Sequence, residues 1–255
     1  MIRTWGTLQA FEDRWRARFE EFAELRDDDA GIAGWSTTGL DARLRRFAGL
    51  WRPAARPERW LDAGCGAGTY MRILLREQRE VVGIDYSLPT LQKTIARDLR
   101  GARFVVADVR KLPFRPGLFD GVVCFGVTQA LASSEPAVRE LAAQVRPGGE
   151  LWIDALNSYC LIHALELMRR RLTGRALHLR YESPMKLRQL LLRQGLTDVR
   201  IDWMPIMPSG SQWLQRLAET RLVQMLLNVR WHPLGMLLSH AFIARGRVPP
   251  RDTST

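Results

Sequence analysis

Apolar residues recur at steps of three and four over residues 7–25, at Leu8, Phe11, Trp15, Phe19, Phe22 and Leu25, with acids and arginines between them. That spacing predicts an amphipathic helix with one buried face. Asp27–Gly31 reads as a loop, a second helix is predicted through Asp41–Leu50, and Pro53 and Pro57 mark a linker. From Arg59 the pattern changes to short, nearly continuous apolar runs separated by helical periods. The runs Trp60–Ala63, Val81–Asp85, Phe104–Asp108, Phe119–Phe125 and Leu151–Leu156 predict strands. Helices are predicted between them at Tyr70–Arg76, Ser87–Leu99 and Pro136–Val145, with Ser87 as an N-cap. This alternation predicts an α/β fold whose parallel sheet is covered on both faces.

Beyond the fifth strand the pattern is less regular. Ser183-Pro184 opens a helix that should end at Gly195, and Val199–Met204 and His240–Ala244 are predicted as the last two strands. Two further helical stretches, about 158–182 and 208–236, exceed what a minimal sheet needs. In the first, Leu161–Met168 runs into Arg169-Arg170-Arg171; the second, Trp213–Trp231, mixes apolar residues with Arg216, Arg221 and Arg230. Such segments suit a helical lid, or an interfacial surface whose arginines meet anionic head groups. The expected organisation is a helical extension over 1–57, one α/β domain over 58–247 and a disordered tail over 248–255.

Composition narrows the classes. With 255 residues, 46% of them hydrophobic and 25% charged, the chain can bury a core of its own. Cys65, Cys124 and Cys160 are too few for a disulfide framework, and no metal-ligand spacing is present. A reducing, cytoplasmic setting is therefore expected. The first residues are broken by charge and carry no apolar leader core. The net charge of +11 first suggests nucleic acid or an anionic membrane. It is unevenly placed, however, at +1 over residues 61–157 and +9 over 158–255, and 35 of the 38 basic residues are arginine. An arginine skew of that kind follows from GC-rich codons as readily as from a ligand.

The segment Leu61-Asp62-Ala63-Gly64-Cys65-Gly66-Ala67-Gly68-Thr69-Tyr70 follows a strand and opens a helix. Glycines there let a ligand approach the backbone, and the helix start offers free N–H groups. Asp85 closes the next strand, where an acid can accept from ribose hydroxyls. A dinucleotide fingerprint would need G-x-G-x-x-G, whereas this segment reads G-x-G-x-G. Together with Gly83-Ile84-Asp85, Ala107–Phe114, Phe119-Asp120 and Arg146–Leu151, it resembles the class I S-adenosylmethionine-dependent methyltransferases. Within that class it is similar to the small-molecule group that includes the quinone-biosynthesis C-methyltransferases.

The resemblance implies a doubly wound, Rossmann-like sheet of seven mostly parallel strands, with N-terminal helices and a helical insertion before the last strand. It implies that Gly64, Cys65, Gly66 and Gly68 pack on the cofactor's methionine and ribose portions. Asp62 would favour its cationic groups, and Asp85 with Tyr86 would meet the ribose. Asp108 and Val109 would meet adenine, and Phe125 and Gly126 would line the methyl-transfer side. A proton acceptor is needed only for an acceptor that must be deprotonated. Candidates are His163, His178 and Tyr181, followed by Tyr159, Glu182, His232 and His240. Phe125–Gln129 lacks the acid- or amide-plus-prolines signature of base N-methylases. The expected activity is therefore O- or C-methylation of a small lipophilic or aromatic acceptor, with peripheral membrane contact through the arginine-rich helices and nucleic acid disfavoured. An RNA or protein methyltransferase and a non-catalytic scaffold that binds S-adenosylmethionine are the alternatives.

Overall fold

The computed structural model describes residues 8–76, 79–174, 179–206, 212–228 and 233–250. Seven strands form one sheet: β1 (Glu58–Ala63), β2 (Arg79–Asp85), β3 (Ala102–Val106), β4 (Phe119–Cys124), β5 (Val145–Leu156), β6 (Thr197–Met204) and β7 (Ala241–Arg247). Their order is β3-β2-β1-β4-β5-β7-β6. The first five run parallel, and β7 lies antiparallel between β5 and β6. β1, β2 and β4 therefore end at one edge, and the order reverses between β1 and β4, where open α/β sheets form their ligand crevice.

Eleven helices are present among the described residues. α1 (Leu8–Leu25), α2 (Asp29–Ile32) and α3 (Thr37–Leu50) precede the sheet. α4 (Met71–Leu74), α5 (Leu88–Ile95), α6 (Glu135–Gln144), α7 (Leu161–Thr173) and α8 (Pro184–Arg193) connect strands. α9 (Gln212–Ala218), α10 (Arg221–Leu227) and α11 (Pro233–Leu238) fall between β6 and β7. Side chains alternate across the sheet as period two requires. Val122, Leu151 and Ile153 pack toward α6 and α8, whereas Val123, Trp152 and Ile243 pack toward the opposite core around Phe47 of α3.

Several expectations change. Asp27–Gly31 is not all loop, because Asp28 accepts from Gly31 N at 2.9 Å and caps α2. α3 starts earlier than Asp41, since Ser36 caps it by accepting from Gly39 N at 3.1 Å. The helix expected over Tyr70–Arg76 is a single turn, α4. The second insertion is three short helices rather than one stretch, with a break at Glu219-Thr220. Val248 does not belong to a free tail. It exchanges backbone hydrogen bonds with Gly148 and Gly149, extending the β7 pairing by one residue. Residues 251–255 lie outside the described residues.

Candidate functional site

A cavity of about 1020 Å³, counting its mouth, opens where β1, β2 and β4 end. Its floor is the loop after β1. Gly64 and Gly66 adopt left-handed φ values of +80° and +49°, which glycine takes without steric cost. A side chain at Gly64 would strike Val127 Cγ2 at 2.2 Å, while a Cβ at Gly66 would meet nothing within 4 Å. Asp85 fixes this loop by accepting from Gly66 N at 3.1 Å and from Ser87 N at 2.9 Å. Burial pushes its carboxyl up to about 6, against those same hydrogen bonds.

Helix α1 forms the roof. Trp15, Arg16 and Phe19 line the cavity, and the Phe19 ring meets Tyr86 edge-on at 6.4 Å. The Arg16 guanidinium sits 5.1 Å from the centre of the Tyr86 ring. Glu12 ties the roof down by accepting from Ala132 N at 3.0 Å and pairing with Arg110. Arg110 also forks onto Asp108, with Nε to Oδ1 at 2.9 Å and a terminal nitrogen to Oδ2 at 2.6 Å. These hydrogen bonds hold the Asp108 carboxyl below the usual carboxylate range. The far wall is held by Arg180, which donates to Leu131 O at 2.7 Å and Thr128 O at 2.9 Å.

At the opposite end, Gly126 and Trp35 face one another. A Cβ at Gly126, whose φ is +78°, would lie 2.6 Å from the Trp35 ring. Behind them is a buried ion pair. Asp154 of β5 accepts from Gly126 N at 2.6 Å and from Arg43 Nε at 3.2 Å, and the Arg43 guanidinium lies 4.2 Å from the Trp35 ring centre. Burial pushes Asp154 up, partly offset by Arg43.

The structure gathers Gly64, Cys65, Gly66, Asp85, Tyr86, Asp108, Val109, Phe125 and Gly126 around this one cavity. Asp62 and Gly68 do not line it. Asp62 is turned beneath the loop, where it accepts from the backbone of Met71, and burial together with the charge of Asp85 pushes it up to about 8. Gly68 instead permits close helix packing, since a Cβ there would lie 2.7 Å from Leu99 and 2.9 Å from Thr94. Burial raises the Cys65 thiol well above its ordinary value, which leaves it a packing residue.

The expected proton acceptors among the described residues do not line the cavity. His163 and Tyr181 stack on each other with ring centres 3.4 Å apart, and neither lines it. Glu182 is engaged by Ser134 and Arg180, each at 2.7 Å. Tyr159 meets Ser183 at 3.4 Å. His240 packs edge-on against Tyr181, and burial, with Arg43 nearby, pushes it down to about 4. His178 and His232 lie outside the described residues. Sequence reasoning missed Glu12, Arg16 and Trp35 as cavity residues. The stripe through Trp15 and Phe19 was the available signal, because the face it marked as buried is the face that covers the cavity.

The geometry suits an adenosylated sulfonium. Trp35 Nε1, Tyr86 Oη and Asp62 Oδ2 are buried polar atoms with no hydrogen-bond partner among the described residues. Two of them belong to residues of the cavity wall, and the third is a carboxylate beneath its floor.

A family profile described as "Methyltransferase domain" matches residues 61–153. The chain is 37% identical over 114 residues to the probable tRNA methyltransferase 9B of Mus musculus, covering 44% of this chain and 24% of that protein. It is 39% identical over 121 residues to the demethylmenaquinone methyltransferase of Thermus thermophilus, covering 44% of this chain and 54% of that one. The chain thus spans from about a quarter to about half of these curated relatives. A chain of the complex between the Haloferax volcanii Trm112 methyltransferase activator and a methyltransferase superposes with a TM-score of 0.61 at 20% identity, covering 91% of this chain and 97% of that one. That likeness concerns the fold. Residues 61–153, which supply the loop, both acids and the reversal of strand order, form a methyltransferase domain of the class I, S-adenosylmethionine-dependent type.

Proposed function

We propose that the chain transfers a methyl group from S-adenosylmethionine to oxygen or carbon of a small, lipophilic or aromatic acceptor. The observation that carries this reading is the make-up of one roofed cavity, with glycine backbone and Asp85 at one end and Trp15, Phe19, Trp35, Leu40 and Phe125 around the rest. Its two arginines are already engaged, Arg110 by carboxylates and Arg16 over the Tyr86 ring. The cavity therefore offers little to a polyanion.

Bound S-adenosylmethionine would supply an electrophilic methyl group on a positively charged sulfur. Gly64 and Gly66 would let it lie against the backbone, Asp85 would accept from its ribose hydroxyls, and Val109 would flank the adenine beside Asp108. Because both Asp108 oxygens already accept from Arg110, the adenine amine would share that carboxylate. Gly126, held by Asp154, and the Trp35 ring against it would bound the acceptor, with the unpartnered indole N–H a donor for an acceptor oxygen. The roof of α1 would exclude water, and positioning is the main help an in-line displacement needs. No proton acceptor is assigned.

RNA methylation is the second reading, favoured by the match to the mouse tRNA methyltransferase 9B. Incubating the protein and methyl-labelled S-adenosylmethionine with a cell extract distinguishes the two. Label is expected in the organic-extractable small-molecule fraction. Label confined to RNA overturns the proposed acceptor class, and label nowhere favours a cofactor-binding scaffold.

A further inference from the structure

Helix α7 turns a row of apolar side chains to solvent. Leu161, Leu165, Met168 and Leu172 follow one another at steps of four, three and four, and all four are exposed, Leu172 by 82%. The side that packs inward carries His163, buried against Tyr181. An ordinary surface helix buries such a row. The same exposure of apolar side chains recurs in the next insertion. Trp213 and Leu217 on α9 are exposed, Trp213 by 69%, as are Leu222, Met225 and Leu226 on α10. Eleven of the eighteen exposed large apolar side chains among the described residues fall on α7, α9, α10 and α11. α7 packs on α11, α11 on α10 and α10 on α9, so the four helices adjoin in a row. Apolar exposure of that extent marks an interaction site.

Charge and position indicate what covers it. Arg169, Arg216 and Arg221 are exposed among these apolar residues. Glu219 is paired with Arg45, which balances its charge, and also accepts from Gln215. β5 and β6 both run antiparallel to β7, so α7 and α9 leave the sheet at the same edge as the cavity. We propose that this face docks the chain on an anionic lipid bilayer, with the leucines, Met168, Met225 and Trp213 entering the head-group boundary and the arginines meeting lipid phosphates. No described helix is long and apolar enough to cross a membrane, so the chain would lie on the surface. A second copy fits less well, because a two-fold contact would set each arginine cluster against itself.

Sedimentation of the full chain with vesicles tests this, using phosphatidylcholine alone and phosphatidylcholine with about 30% phosphatidylglycerol. Binding to the anionic vesicles is expected to be at least about tenfold stronger, given roughly 1 kcal/mol for each basic residue at such a surface. Arg216→Glu with Arg221→Glu should abolish that preference. Leu165→Glu with Met168→Glu should abolish binding while leaving the thermal melt unchanged, as expected for solvent-exposed positions. Absence of binding, or binding indifferent to both pairs, overturns the proposal. So does a concentration-dependent dimer that the apolar pair dissolves without any vesicle binding. Vesicle binding needs neither cofactor nor acceptor, so this proposal and the methyl-transfer reading fail separately.

Discussion

Asp85 is the residue on which cofactor affinity should turn. Its ionised form holds the N–H groups of Gly66 and Ser87 and is the better acceptor for a ribose diol. With its carboxyl pushed up to about 6, that form predominates above about pH 7 and is lost as pH falls through 6. Calorimetric titration with S-adenosylmethionine should therefore show affinity weakening below pH 6, by at most about tenfold per pH unit. Asp85→Asn should bind about tenfold more weakly at neutral pH and lose this dependence. A flat profile in the unsubstituted chain would contradict the role. Gly64, Gly66 and Asp85 were legible beforehand because loop spacing and strand ends place them. Asp62 and Gly68 sit in the same motif, yet one turns under the loop and the other faces α5. A motif locates a loop, but which way each side chain points depends on the packing behind it.

Between elements, the Arg43–Asp154 pair joins α3 to β5 and, through Gly126 N, to the cavity. Both side chains are nearly fully buried, and a buried charge that loses its partner is costly. Asp154→Ala is expected to lower unfolding stability by about 3–5 kcal/mol. Arg43→Met combined with Asp154→Leu should cost less than Asp154→Ala, because neither variant side chain leaves a charge behind. Urea denaturation of the single and double variants measures both, and a double variant worse than the single would sink the idea. This pair could not be read from the sequence, since 111 positions separate its members. The amphipathic period of α1 was readable, but its use as a roof was not, because that depends on Glu12 reaching Arg110 and Ala132. Likewise the apolar content of 208–236 was plain, while its division into three short helices was not. Thr220 ahead of α10 and Pro233 opening α11 are the local signs.

For the whole molecule, the N-terminal helices are part of the core rather than an appendage. Phe47 of α3 has no exposed surface and contacts four aromatic rings, with centres 4.9 Å away at Trp51, 5.6 Å at Tyr70, 5.3 Å at Phe125 and 5.6 Å at Trp152. Those partners come from the end of α3, from the loop after β1, from the residue that follows β4, and from β5. Tyr70 and Phe125 also line the cavity. Removing this one ring should therefore lower stability and loosen the site together. Phe47→Ala is expected to cost about 3–5 kcal/mol, from lost transfer energy and the cavity left behind. If α3 folds with the sheet, the variant should melt in one transition at a lower temperature. If residues 1–57 were a separate unit, a new early transition would leave the main one unmoved. Cofactor should raise the variant's melting temperature, because a ligand that binds only the folded state stabilises it by mass action. Its affinity should fall in the same variant, since Tyr70 and Phe125 each lose an edge-to-face partner. Calorimetric melts with and without S-adenosylhomocysteine distinguish these outcomes, and an unchanged affinity alongside the full stability loss would show that the aromatic core and the cavity wall are mechanically independent.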